Sequence, residues 1–282
     1  MILKQLYPGD KVLDPWSGFT FLVVGPSPYG DGILLITDKV IAQGAMDAPE
    51  PESPVENYRI TGNNDYLLSN LHQWLNSNVD CWFEKTHAFD TPPSEEYLSI
   101  RPTLYDPIGH NAYADKPGFL TRFRKEFRDC ICKSTIPCAD PKNSSIRQAD
   151  VSFFCPSASE LGLRTGAASE GGELPLFRDF RMRYAAPSEE CMMESEWFPA
   201  YMRTHRMLWY WLRTPNPLSP GFLAYSHFTN PFSYKFACSP WLGIRPMVSL
   251  REDAPVSDTQ NAFGIRRLLC GDADASGKEV TA

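Results

Sequence analysis

The chain has 282 residues, 43% of them hydrophobic and 22% charged, the balance of an ordinary soluble globular protein with one large or two small domains. Its formal charge of −7 leaves no clustered cationic surface for phosphates, which sets nucleic acid aside as a partner. Residues Met1 to Asp10 lack a signal-peptide pattern and no apolar run reaches spanning length, so the expectation is a chain made in the cytosol, without membrane insertion.

Phe19–Val24 and Ile33–Ile41 are β-branched and aromatic runs around the turn-forming stretch Pro26–Gly32, which predicts a hairpin. The acidic, proline-rich segment Asp47–Glu56 reads as a surface loop. From Leu67 to Phe83 apolar residues recur at three- and four-residue steps, predicting a helix capped by Asn64 or Asp65. A second stripe, Phe119 to Ile131, alternates with Arg122, Arg124, Lys125 and Arg128, a solvated basic face rather than a binding patch. Val151–Phe154 predicts a short strand, and Ser157 with Glu160 has capping-box spacing. Gly162–Pro199 holds no period and reads as a long excursion. Four β-segments follow at Leu208–Leu212, Phe222–Phe228, Ser233–Cys238 and Ile244–Leu250. The remainder is polar, so the expected organisation is one domain over 1–250 and a C-terminal extension over 251–282. If that extension docks on a neighbouring subunit, truncation after Leu250 leaves a folded domain that no longer assembles.

Eight cysteines in a chain this long do not form a disulfide scaffold. Cys130, Cys132 and Cys138 offer three thiolates for zinc, but the spacing and missing fourth ligand favour plain thiols, so neither metal nor cofactor is expected. His72, His87, His110, His205 and His227 sit in no catalytic context, and no metal, hydrolase or nucleotide motif occurs. The expectation is a protein without catalytic residues.

Two signatures remain. Trp211-Leu212-Arg213-Thr214-Pro215 and Gly243-Ile244-Arg245-Pro246 resemble the WLR(S/T)P and G(V/I)RP motifs of an uncharacterised domain family common in Firmicutes and their prophages. Gly9-Asp10, Leu34 to Ile36, Leu71 to Asn76, Gly118 to Leu120 and Phe154 to Gly162 match in the same order, so the resemblance covers residues 9–250. It implies an α+β, C-type-lectin-like (formylglycine-generating-enzyme-like) fold, with small twisted antiparallel sheets, two helices and long irregular loops. It also implies a non-enzymatic virion structural protein, a receptor-binding or decoration component in a homo-oligomer or larger assembly with other virion proteins. A host-surface glycan or protein would be its target. A bacterial glycan- or peptide-binding module and an enzyme of unknown reaction stay as alternatives. The copper-binding cysteine pair of formylglycine-generating enzymes is absent, since Cys238 stands alone, and the usual calcium-lectin strings are missing.

Within the signatures, Trp209, Trp211, Arg213, Pro215, Gly243, Arg245 and Pro246 read as scaffold. A guanidinium in an apolar strand can satisfy loop carbonyls or a carboxylate such as Glu160. Between them, Tyr225, His227, Phe228, Asn230, Phe232, Tyr234 and Lys235 form a ligand-binding candidate, with loop packing as the equal alternative.

Overall fold

The N-terminal hairpin forms where the β-branched runs predict it. β1 (Lys11–Leu13), β2 (Thr20–Pro26) and β3 (Ile33–Thr37) make an antiparallel meander in which Leu22 faces Ile36 and Val23 faces Leu35. All five residues of β3 are buried, the mark of a strand covered on both faces. Gly32 ends the connecting turn at φ +99°, where an added Cβ would also collide with the Leu250 carbonyl.

The computed structural model describes residues 1–47, 62, 64–80, 117–194, 209–216, 221–227, 230–239 and 241–270. After β4 (Ala42–Gln43) come β5 (Ile131–Cys132), β6 (Ser134–Ala139), β7 (Ile146–Val151) and β8 (Phe153–Phe154). The C-terminal half holds β9 (Tyr210–Pro215), β10 (Gly221–His227), β11 (Asn230–Phe236), β12 (Gly243–Ile244), β13 (Met247–Leu250), β14 (Val256–Gln260) and β15 (Ile265–Leu268). One sheet, curled like half a barrel, runs β14-β15-β1-β2-β3-β13-β5, with β8 also on β13. A second runs β11-β10-β9-β12-β4, and β6-β7 is a separate ribbon. The protein is thus mixed α+β, mostly sheet, with three short helices among the described residues.

Two chain segments pass from one sheet to the other side by side. β3 continues into β4 as β12 continues into β13, so Ile36 pairs with Met247 in the first sheet and Ala42 with Ile244 in the second. Between them the Pro246 carbonyl accepts from the Thr37 amide at 3.1 Å, and the Ile244 carbonyl from the Ile41 amide at 2.9 Å. Pro246 suits this bend because it has no amide proton to leave unpaired.

The expected helices are shorter than their apolar stripes. Asp65 caps a 3₁₀ turn at Tyr66–Leu68, and Ser69 then caps α1 (Asn70–Leu75). The second stripe is divided by extended backbone at Phe123 into a 3₁₀ turn at Phe119–Arg122 and α2 (Lys125–Asp129). The break lets Phe119, Phe123 and Phe127 all enter the core, where Phe123 stacks on Phe127 at 4.5 Å and on Phe153 at 5.2 Å. α3 (Glu189–Glu194) belongs to the long excursion. The basic residues are engaged locally: Arg122 grips Glu190 with two hydrogen bonds of 2.7 and 2.8 Å, Arg124 covers Trp16 and Lys125 pairs with Asp129.

Residues beyond 250 do not form a separate extension as far as Cys270. β15 pairs in parallel with β1, placing Lys11 beside Ile265, and Ala254, Val256 and Leu268 are buried in the common core. The boundary expected at 250 therefore falls inside one sheet, because Val256 at the start of β14 and Leu268 at the end of β15 stand opposite each other and are both buried.

Candidate functional site

β9 opens the site with an irregularity. Trp211 faces Ala224 and Pro215 faces Phe222, so Leu212, Arg213 and Thr214 stand against the single residue Leu223 of β10. Such a bulge re-aims the extra residues. The Arg213 amide leaves the ladder for the Pro156 carbonyl at 2.9 Å, and its side chain enters the core fully buried.

A buried guanidinium needs an anion and acceptors for its remaining protons. Glu160 supplies two parallel hydrogen bonds of 2.7 and 2.8 Å, and the carbonyls of Pro137, Cys155 and Glu170 accept the rest. The Ser157–Glu160 capping box forms, with the Ser157 amide donating to Oε2 at 2.7 Å and the Glu160 amide to Ser157 Oγ at 3.2 Å. Tyr29 donates to Glu160 Oε1, and Thr214 donates to Glu170 Oε2. Burial first, then the Glu160 carboxylate, pushes the Tyr29 hydroxyl upward, and burial raises Glu170. This node ties β9 to the 155–174 loop and is closed to solvent, so it acts as a fastener.

Arg245 fastens the sheet crossing. It is fully buried; Nε donates to the Thr37 carbonyl at 3.0 Å, and Nη1 to the carbonyls of Met182 and Arg183 at 3.0 and 3.2 Å. Its guanidinium lies 5.5 Å from the Tyr210 ring centroid, and the Tyr210 hydroxyl donates to the Arg183 carbonyl at 2.6 Å. Trp211 is buried with its indole N–H on the Gly44 carbonyl at 2.7 Å, and the Gly243 amide reaches the Trp209 carbonyl at 2.7 Å. Trp209, Trp211, Gly243, Arg245 and Pro246 thus lie in or beside the joint between the sheets, whereas Arg213 fastens β9 to the 155–174 loop.

The β10–β11 hairpin forms the edge of the second sheet away from β4. Tyr225 stands opposite Phe232, His227 opposite Asn230 and Leu223 opposite Tyr234, while Phe228 lies outside the described residues. The two-residue strand period puts Tyr225, His227, Asn230, Phe232 and Tyr234 on one pleat phase and Lys235 on the other. Of the candidates, Tyr234 and Lys235 therefore stand on opposite faces of β11. Lys235 Nζ sits 4.8 Å from the Trp209 centroid and 5.2 Å from that of Trp241, and burial lowers its pKa. Tyr234 and Phe236 are exposed, at 39% and 48%. Strand alternation from Tyr234 gives Phe236, a signal present in the sequence; nothing local marked Trp241.

A cleft of about 660 Å³ lies elsewhere, lined by Phe19, Thr20, Lys39, Ser188, Glu190 and Met193 among others. Its residues come from segments too far apart in sequence for spacing to group them. Cys130, Cys132 and Cys138 do not converge: among the described residues no group of three or more His, Cys, Asp or Glu is placed to hold a metal ion. Cys138 is fully buried in β6 and pushed up to about 12, chiefly by burial.

A protein-family model described as Domain of unknown function (DUF6273) matches residues 31–252, most of the chain. The chain belongs to the DUF6273 family. No curated protein and no solved structure matches it. The DUF6273 match takes in both signatures, the Arg213–Glu160 pair and the β10–β11 hairpin, and ends before β14. No described helix of this DUF6273 protein is long and apolar enough to cross a membrane.

Proposed function

We propose that this DUF6273 protein is a non-enzymatic recognition module of a phage virion, a receptor-binding or decoration component with a C-type-lectin-like fold. The observation that carries the recognition part is the way Lys235, held over Trp209 and Trp241, fixes the strand that turns Tyr234 and Phe236 to solvent. Rigid aromatic side chains give large contact area at low entropic cost. The virion part rests on the WLRTP and GIRP resemblance. Other virion proteins and a host-surface glycan or protein are the proposed partners.

Mass spectrometry of purified phage particles is expected to find the chain, and its absence from every particle preparation overturns the virion assignment. The double variant Tyr234→Ser/Phe236→Ser is expected to weaken host-cell binding at least about tenfold, the effect of removing about 1.4 kcal/mol of contact. Unchanged binding by a folded variant refutes the surface. The cleft beside Phe19 favours a second reading, a bacterial module for a small glycan or peptide, which glycan and peptide arrays distinguish.

A further inference from the structure

The cleft beside Phe19 is built from three stretches of chain that backbone hydrogen bonds hold in place. The turn leading into β2 is closed by the Asp14 amide on the Phe19 carbonyl and the Gly18 amide on the Asp14 carbonyl, both at 3.0 Å. The link from β3 to β4 joins that wall through the Asp38 amide on the Thr20 carbonyl at 2.8 Å. Further along the link, the Val40 amide donates to the Ala186 carbonyl at 3.0 Å and the Ser188 amide to the Val40 carbonyl at 2.8 Å, which seats the start of α3 against it. Glu190 of α3 then reaches Arg122, whose guanidinium lies 5.1 Å from the Phe19 ring centroid. The walls are therefore set before any ligand arrives, and the volume of about 660 Å³ is that of a small-ligand pocket.

The charges around the cleft divide into engaged and unengaged. Asp38 pairs with Lys11, and Glu190 with Arg122. Lys39 and Glu189 also line the cleft and are exposed, yet among the described residues neither side chain pairs with the other or with any neighbour. Ser188 stands next to Lys39 through its contact with Val40, and its hydroxyl, which accepts from the Cys191 amide at 3.0 Å, keeps its own proton to donate. The lining also carries the buried side chains of Phe19 and Ile41 and the exposed one of Met193. Phe19 gives no open face for a sugar ring, because it is 7% exposed and already packed against Phe119, Phe123 and Arg122.

We infer that the cleft is a binding site for a short zwitterionic peptide, its carboxylate taken by Lys39 and the Ser188 hydroxyl, its ammonium by Glu189, and an apolar side chain laid on Phe19, Ile41 and Met193. Two unengaged charges of opposite sign in one cleft suit a ligand that carries both, because each charge-assisted contact orients the ligand as well as attracting it. A neutral glycan leaves both charges without a counterpart, and a purely anionic one meets the Glu189 carboxylate. The inference rests on the second reading above, in which this cleft takes a small glycan or peptide, and narrows it to peptide; the Tyr234–Phe236 surface plays no part in it.

The test is isothermal titration calorimetry of the full chain with the dipeptides Gly-Leu, Leu-Leu and Leu-Phe, with the N-acetyl and C-amide form of each, and with N-acetylglucosamine and its disaccharide. At least one free dipeptide is expected to bind with a Kd of about 1 mM or tighter, and blocking either terminus to weaken it at least about tenfold. Lys39→Gln is expected to weaken the free dipeptide as much as amidation does and to make amidation silent, and Glu189→Gln to do the same for acetylation. The blocked termini are read on the unsubstituted protein, so a variant that misfolds does not affect that result. Equal binding of free and blocked dipeptides, or wild-type binding by either folded variant, overturns the proposal. Sugar binding without dipeptide binding overturns it and leaves the small-ligand reading of the cleft in place, whereas no binding by any probe overturns both.

Discussion

Removing the carboxylate of Glu160 should cost more than any other single change described for this fold. In Glu160→Gln the amide can keep one hydrogen bond to Arg213 but cannot match two parallel donors, nor can it balance a fully buried cation. Taking away one partner of a buried ion pair typically costs about 3–5 kcal/mol, because the other charge is left uncompensated. Glu170 also bears on Arg213, but burial raises its pKa and its oxygens are occupied by Thr214 and the Ala139 amide. For a domain this size about 2 °C accompanies each kcal/mol, giving a fall in Tm of about 6–10 °C. The assay is urea denaturation with calorimetry on wild type, Glu160→Gln, Arg213→Met and the double variant Arg213→Met/Glu160→Leu. The double variant should lose about 2 kcal/mol less than the sum of the single ones. A loss below about 1 kcal/mol for Glu160→Gln, or strict additivity in the cycle, refutes the assignment of the node as a coupled fastener.

Truncation after Leu250 removes the strand beside β1 and the buried side chains of Ala254, Val256 and Leu268, and should destabilise by at least about 4 kcal/mol from apolar burial alone. A truncated chain with the wild-type urea midpoint would contradict this. His72 gives a pH effect whose sign is fixed by burial. Desolvation lowers its pKa from 6.5 to about 4, so the folded state holds it neutral. The associated stability is complete above pH 6.5 and is lost as pH falls towards 4, by about 2–3 kcal/mol. Comparison of unfolding midpoints for wild type and His72→Gln at pH 7 and pH 4.5 checks it, and parallel pH profiles would refute it.

What the sequence disclosed follows from the range of the interactions that set it. The β2–β3 hairpin, the Ser157–Glu160 box and the strands around Trp211 and Val248 were legible because apolar alternation and cap spacing are local. The helical stripe at Phe119–Phe127 was seen, but not its break, since three phenylalanines satisfy a helical period whether or not the backbone is continuous. The role of the tail was hidden, because β15 owes its place to a partner strand at the other end of the chain. Among site residues, Arg213 with Glu160 could be anticipated from charge and burial, and the hairpin from its aromatic content. That Lys235 turns away from its neighbours towards Trp209 and Trp241 depends on register and on a fold-back that no local pattern encodes.

The side-by-side passage of β3–β4 and β12–β13 between the sheets has a consequence during synthesis. β1, β2 and β3 leave the ribosome early, yet β3 obtains its second neighbour only when Met247–Leu250 has been made, and β1 waits for Ile265–Leu268. Until then the fully apolar Ile33–Ile36 edge has no partner strand, the kind of exposed template that recruits other nascent chains. Slow completion, dependence on holdase chaperones and poor recovery after refolding at high concentration follow from that strand order.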